Sequence, residues 1–386
     1  MSKPVYLDYN ATTPVDKEVL AEMLPFLSER FGNPSSSYEI GRSNKEAIEV
    51  ARQQVAELIG AHFDEIVFTS GGTESNNHAI RGIAFANSHK GKHIVTSVVE
   101  HPAVLEVCNY LEKFGFETTK VSVDKNGKVN PLEVQEAIRP DTVLITIMHA
   151  NNEVGTIQPI SAISEIARKY HIAFHTDAAQ SVGKIETNVN ALGIDLLTIA
   201  GHKLYAPKGV GALYIRRGIQ IENLIYGAGQ ENGFRPGTEN VPYLVALGKA
   251  CQIARCNFEA NVGNMCSSRD RLFSGLKKEF GQRLIQNVDL SNCLPNTLSV
   301  AILGVDAHQL AAQINNEVLV STGSACHAGS VNISPVLKAM NVDQQVATST
   351  LRISTGRNTS HSDVDRALNA ISKAVKSTVL ASKLML

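Results

Sequence analysis

No stretch of this 386-residue chain approaches the roughly 18 consecutive apolar residues that would span a bilayer. Its start, MSKPVYLDYN, lacks the apolar core of a secretory signal, so the expected setting is the cytoplasm, with no membrane partner. An excess of one charge sign is missing as well: 36 Lys and Arg stand against 37 Asp and Glu, a formal charge of −1. Without a basic block the chain has no electrostatic footprint for nucleic acid, although small anions can still bind locally. Six cysteines (Cys108, Cys251, Cys256, Cys266, Cys293, Cys326) are scattered with no C-x-x-C spacing, which argues against a disulfide frame, a zinc site and a dithiol pair. There is no repeat, low-complexity tract, Walker loop or dinucleotide fingerprint.

What is present is an alternation. The apolar runs EIVFTS (65 to 70), HIVTSVV (93 to 99), TVLITIM (142 to 148), IAFHTD (172 to 177) and DLLTIA (195 to 200) read as buried parallel strands. Between them Glu46 to Ile59 and Ser161 to Tyr170 carry apolar residues at helical spacing. The pattern predicts an α/β fold with a mainly parallel, doubly wound sheet in a large domain. After about residue 255 it changes to NTLSVAIL, a helical DAHQLAAQI, TLRIS and a long C-terminal helix from near Ser362, which reads as a smaller α+β domain.

In open α/β sheets ligands bind beyond the carboxyl ends of the strands. Here the first run is followed by GGTESNN, where Gly72 and Thr73 open a helix whose free N–H groups suit a phosphate, although an ordinary turn looks the same. The next four end in His101, Asn152, Asp177 with Gln180, and His202 with Lys203. Lys203 lies between apolar segments, and a desolvated lysine of lowered pKa is what Schiff-base chemistry needs. Asp177, on the neighbouring strand end, could keep a ring nitrogen protonated, as pyridoxal phosphate requires. The segment STGSACHAGSVN (321 to 332) holds Cys326, which read alone is better explained by a small hydrophobe in a turn than by a reactive thiol.

The ordered segments YLDYNATTP, FGNPSSSY, TSGGTESNN, EHPAV, HANNEVGTIQP, HTDAAQSVGK, GHKLYAPKGVGALYIR, GQENGFRPGTEN, SACHAG and LRISTGR cover nearly the whole chain. Together they resemble the pyridoxal-phosphate-dependent cysteine desulfurases of aminotransferase fold type I (class V) and the related selenocysteine lyases. The resemblance implies a homodimer with its active site at the subunit interface. It implies a large cofactor domain (14–255) and a small domain (1–13 and 256–386) that carries a nucleophile loop at about 321–334. Lys203 would carry the cofactor, Asp177 pair with its ring nitrogen, His101 stack on the ring, and Asn152 and Gln180 lie near the ring hydroxyl. Gly72, Thr73 and His202 would hold the phosphate, with Thr238 donated by the other subunit. Arg352 would grip the substrate carboxylate, and Asn10, Ala11, Thr12 and Asn152 line its pocket. Cys326 would take sulfur from L-cysteine as a persulfide, with His101 as proton acceptor, leave L-alanine, and pass the sulfur to an acceptor such as an iron-sulfur scaffold or sulfur-carrier protein. The small residues Gly323, Ser324, Ala325, Ala328 and Gly329 suit a loop that travels. The chain departs from the pattern at Ala200, where the desulfurases usually carry serine, and at His327, where many have threonine. Both departures resemble the selenocysteine lyase branch and keep L-selenocysteine as an alternative substrate. A degenerate scaffold for sulfur carriers is a remoter reading, opposed by Lys203, Asp177, His101, Arg352 and Cys326 together. Cys326 and His327 have no further ligands at metal spacing, so no metal is expected.

Overall fold

The computed structural model describes the backbone of residues 3–327 and 330–384, and side chains outside 324–332 and 379–386. Seven strands form the large sheet: β1 (Ile66–Thr69), β2 (His93–Ser97), β3 (Glu117–Val121), β4 (Thr142–Thr146), β5 (Ala173–Asp177), β6 (Leu196–Ala200) and β7 (Gly211–Ile215). Their order is β1-β7-β6-β5-β4-β2-β3. The pairs β2–β3, β2–β4, β4–β5 and β5–β6 are parallel, whereas β7 runs antiparallel to β6 and β1.

Helices α1 (Glu39–Ile59), α2 (Gly72–Ala86), α3 (Pro102–Leu111), α4 (Ile160–Lys169) and α5 (Val241–Cys256) wind the sheet on both sides. Successive strand residues point to opposite faces, and the cores divide accordingly. Phe68, Ile145 and Leu197 pack with Val55 and Ile59 of α1 and Leu247 of α5. Their chain neighbours Val67, Leu144 and Leu196 pack with Ile80 and Ile83 of α2 and Val104 of α3. A sheet covered on both faces needs strands that are apolar throughout, which is why these were readable as short apolar runs.

A second, antiparallel sheet holds β8 (Leu284–Gln286), β9 (Thr297–Ile302), β10 (Ser321–Thr322) and, after the hairpin β11 (Ser324–His327) and β12 (Ser330–Ile333), β13 (Thr350–Ser354). Its order is β10-β13-β9-β8. It is covered by α6 (Phe258–Phe280), α7 (Ala307–Ile314) and α8 (His361–Leu384) around Leu272, Leu276, Val300, Leu310, Ile353 and Ile371. The N-terminal segment joins this layer: Val5–Tyr6 pairs in parallel with Val318–Leu319, and Asp8 bridges to Ser354. That pairing carries Asn10 and Ala11 to the edge of the large sheet.

The segment expected as a loop at 321–334 is instead β10 followed by a two-stranded hairpin, with the Cys326 backbone opposite Val331. The side chains of Cys326 and His327, together with Ala328 and Gly329, lie outside the described residues.

Candidate active site

The turn between β1 and α2 needs glycine twice. Gly71, at the helix N-cap, has φ +149°, a conformation that L side chains rarely adopt. A Cβ at Gly211, where β7 begins, would sit 2.7 Å from the Gly71 Cα and 2.5 Å from the Ile199 oxygen, so the two backbones touch only because Gly211 lacks a side chain. This brings the first turn of α2, whose N–H groups have no intrahelical acceptors, to the carboxyl ends of β5 and β6.

The strand ends enclose a cavity of about 360 Å³. From the large sheet come Gly72 and Thr73 after β1, His101 after β2, Asn152 after β4, Asp177 and Gln180 at β5, and His202 and Lys203 after β6. From the second layer come Asn10, Ala11 and Arg352. A Cβ at Gly72 would lie 3.3 Å from the Ala200 Cβ, so the glycine keeps this wall open. Two of the expected residues, Thr12 and Thr238, do not line the cavity. Thr12 reaches it indirectly, its hydroxyl 3.1 Å from His202 Nδ1. Thr238 is exposed and lines none of it, and the Cys326 side chain is outside the described residues.

Lys203 donates to the backbone oxygens of Asn10 and, at 2.7 Å, Ala11. Burial, reinforced by the Arg352 charge and opposed by Asp8 and Asp177, lowers its pKa to about 8, so about a tenth is free amine at pH 7, far more than for an ordinary lysine. Asp177 is buried and accepts from Asn76 Nδ2 at 2.7 Å and the Ala179 N–H at 2.9 Å. His101 caps α3, its Nδ1 accepting from the Ala103 N–H at 3.1 Å, so the neutral ring carries its proton on Nε2. Its ring stands at the open mouth, and the protein packed behind it lowers its pKa, helped by Lys203 and opposed by Asp177. Burial and the nearby lysines hold His202 neutral, at about 4.

Arg352 is already engaged. Its Nη2 donates to Asp8 Oδ1 and Ser321 Oγ, both at 2.8 Å, and its Nη1 to the Asn152 oxygen at 3.2 Å. Its Nε is buried with no partner among the described residues. A carboxylate gripped by this fork would therefore share it with Asp8 or displace it.

A second cavity, of about 600 Å³, adjoins the first and shares Asn152 and Arg352 with it. Thr322 and Gly323 on one side and Ile333 and Ser334 on the other line it, and these are the two roots of the β11–β12 hairpin. Sequence reasoning missed Asn76, Asp8 and Lys184. Asn76 had a local signal, four residues after Gly72 on one helix face. Asp8 and Lys184 had none.

The family model described as Aminotransferase class-V matches residues 5–367. The chain is 49% identical over 377 residues to a cysteine desulfurase IscS of Dictyoglomus turgidum, covering 97% of this chain and 95% of the relative. A solved NifS-like protein superimposes with a TM-score of 0.91 at 38% identity, over 97% of this chain and 99% of that one. A structure of SspA in complex with cysteine gives 0.82 at 39% identity, over 92% and 99%. This fold and these relatives define a class-V aminotransferase, and within that class the chain belongs to the cysteine desulfurase family.

Proposed function

We propose that the protein is a cytoplasmic cysteine desulfurase that uses pyridoxal phosphate: L-cysteine and the Cys326 thiol give L-alanine and a Cys326 persulfide, whose sulfur passes to an acceptor protein such as an iron-sulfur scaffold. The carrying observation is the convergence of Lys203, Asp177, Arg352 and the α2 N-terminus on one cavity whose neighbour is walled by the roots of the Cys326 hairpin. The donor set fits the cofactor. Helix N–H groups and Thr73 suit its phosphate, Asp177 its ring nitrogen, Lys203 its aldehyde, and the wall kept open at Gly72 leaves it space. When bound, the cofactor supplies an electron sink for the substrate Cα and so weakens the Cβ–S bond.

The remaining work falls to the chain. Lys203, with its lowered pKa, takes the Cα proton at Nζ. Arg352 and Asn10 orient the substrate, Asp8 yielding part of the guanidinium. His101 holds a proton at Nε2, and it can accept another only at Nδ1, by releasing the Ala103 N–H. The expectation that it takes the Cys326 proton therefore carries the cost of that cap. We read the active form as a homodimer with Thr238 reaching the partner's site, supported by the exposure of Thr238 and of Phe31, Tyr38 and Tyr226. The division into 14–255 and 1–13 with 256–386 belongs to the same reading, supported by the separate core around Leu272 and Val300.

Selenocysteine lyase activity is the second reading, favoured by Ala200 in the cavity wall. One experiment addresses both: alanine formation from L-cysteine and L-selenocysteine by native, Lys203→Ala and Cys326→Ala proteins. Lys203→Ala should be inactive on both. Cys326→Ala should lose at least about a hundredfold on cysteine while keeping much of its selenocysteine turnover, because selenium can leave without a protein nucleophile. Undiminished cysteine turnover in either variant would refute the assignment.

A further inference from the structure

Lys184 is a buried cation without an anion. Its side chain is enclosed, with 6% relative exposure, and it makes no salt bridge among the described residues. Its one hydrogen bond runs to a neutral acceptor, the Gln180 Oε1, at 3.3 Å. Buried lysines are almost always paired with carboxylates, because an unpaired charge in a low-dielectric interior is costly. Here the groups around it add to the cost. A small cavity of about 20 Å³ beneath the active-site lysine is lined by Lys184, Lys203, Arg357, Tyr9 and Tyr205, and contains no acidic side chain. Burial first, then the charges of Lys203 and Arg352, lower the Lys184 pKa to about 7.

The geometry gives this arrangement a purpose. A side-chain amide can be turned either way, and only its partners decide which end faces which. A protonated Lys184 can only donate and the Asn10 backbone oxygen can only accept, so both partners turn the Gln180 oxygen toward Lys184. The Nε2 end is thereby turned toward the pocket, where it donates to the Asn10 oxygen at 3.0 Å. That same oxygen accepts from Lys203. Lys184, Gln180, Asn10 and Lys203 thus form one chain of hydrogen bonds, with the second lysine at its hidden end.

We propose that Lys184 is a positioning residue of the active site: by donating to Gln180 Oε1 it fixes the Gln180 N–H pair toward the cavity beside Lys203, and so sets a donor in the wall that an anionic oxygen of the bound ring can use. The inference rests on the pyridoxal phosphate reading above. Turn geometry supports it. Gly183, at φ +75°, packs its backbone so closely that a Cβ would meet Leu204 at 2.6 Å, which locks the 178–184 turn against the segment following Lys203.

The test is a double-mutant cycle read by affinity for pyridoxal phosphate, from visible absorption on titrating the cofactor into cofactor-free protein. Lys184→Met should bind about tenfold more weakly, the effect of misaligning one hydrogen bond to a charged group. Its thermal midpoint should be unchanged or higher, because an apolar side chain replaces a buried charge. In a Gln180→Met background, Lys184→Met should add nothing, since the lysine acts through the amide. Lys184→Arg, also a pure donor, should remain within about threefold of native, and this variant decides the matter if the methionine variant fails to fold. Native-like binding by Lys184→Met, additive losses in the cycle, or a tenfold loss in Lys184→Arg would overturn the proposal. Failure of the native protein itself to develop the absorption would overturn the functional reading instead.

Discussion

Ala200 is the last residue of β6, buried to 3% exposure, with its methyl group against Gly72 at the start of α2. A hydroxyl there would lie beside the unsatisfied N–H groups of the helix, where an anion is best held. Ala200→Ser is therefore expected to tighten retention of pyridoxal phosphate by about tenfold, the scale of one charge-assisted hydrogen bond. The measurement is the rate of cofactor loss in dialysis, and equal or faster loss would show the wall to be full. At this scale the sequence was informative wherever a polar residue ended an apolar strand, because sheet topology alone carries such residues to one edge. It was silent on Asp8, whose ion pair with Arg352 spans 344 positions. It was equally silent on Lys184, which reads as an ordinary surface lysine in a turn until its burial is known.

Ser334 joins two elements. It is the N-cap of the short helix Pro335–Ala339, accepting from the N–H groups of Val336 at 3.0 Å and Leu337 at 3.3 Å. Its hydroxyl also donates to Glu153, beside Asn152, and its own N–H pairs with the Gly323 oxygen at the other root of the hairpin. Removing the hydroxyl strips the cap and leaves a partly buried carboxyl, its pKa already raised by burial, without that donor. Ser334→Ala should cost roughly 0.5–2 kcal/mol of stability and depress sulfur transfer from cysteine more than binding of the cofactor. Denaturant melts and paired measurements of alanine formation and cofactor affinity would check this; an equal loss in both would place the effect in the fold. Among elements, the five strands read from apolar runs are all present. The two strands of the large sheet that escaped did so for different reasons. β3 is ETTKV, a polar strand paired only with β2 at the sheet edge, so burial never wrote a pattern into it. β7 is apolar but follows β6 too closely for a crossover helix, and an antiparallel return breaks the alternation on which the reading relied. α1 starts at Glu39, seven residues before the expected start at Glu46, because Asn44 is buried there and donates to the Arg30 and Gly32 oxygens at 2.8 and 2.6 Å.

Among the described residues, four histidines are pushed furthest toward the neutral form. Burial lowers His78, His149 and His202 to about 4 and His175 to about 3, the last between the hydroxyls of Thr146 and Thr198. The unfolded chain binds these protons near pH 6.5, whereas the folded chain refuses them until about pH 4. Between those values the unfolded state holds more protons, so stability must fall as the pH falls. The cofactor-free protein should thus lose several degrees of thermal midpoint from pH 7 to pH 5, and His175→Gln should flatten that slope. A midpoint independent of pH across this range would mean that the imidazoles are not desolvated as described.

The antiparallel return of β7 has one more consequence, for time rather than space. Ala200 pairs with Gly211 across only ten intervening residues, so the loop that carries Lys203 is closed by local contacts. Asp8 and Arg352, whose guanidinium the proposed function gives to the substrate carboxylate, pair from near opposite ends of the chain. A ribosome that has not yet reached residue 352 has already produced every strand of the large sheet, with its lysine, aspartate and helix N-terminus. The wall suited to the cofactor under the proposed function is complete in covalent form while Arg352, which that reading gives to the amino acid, is still unwritten.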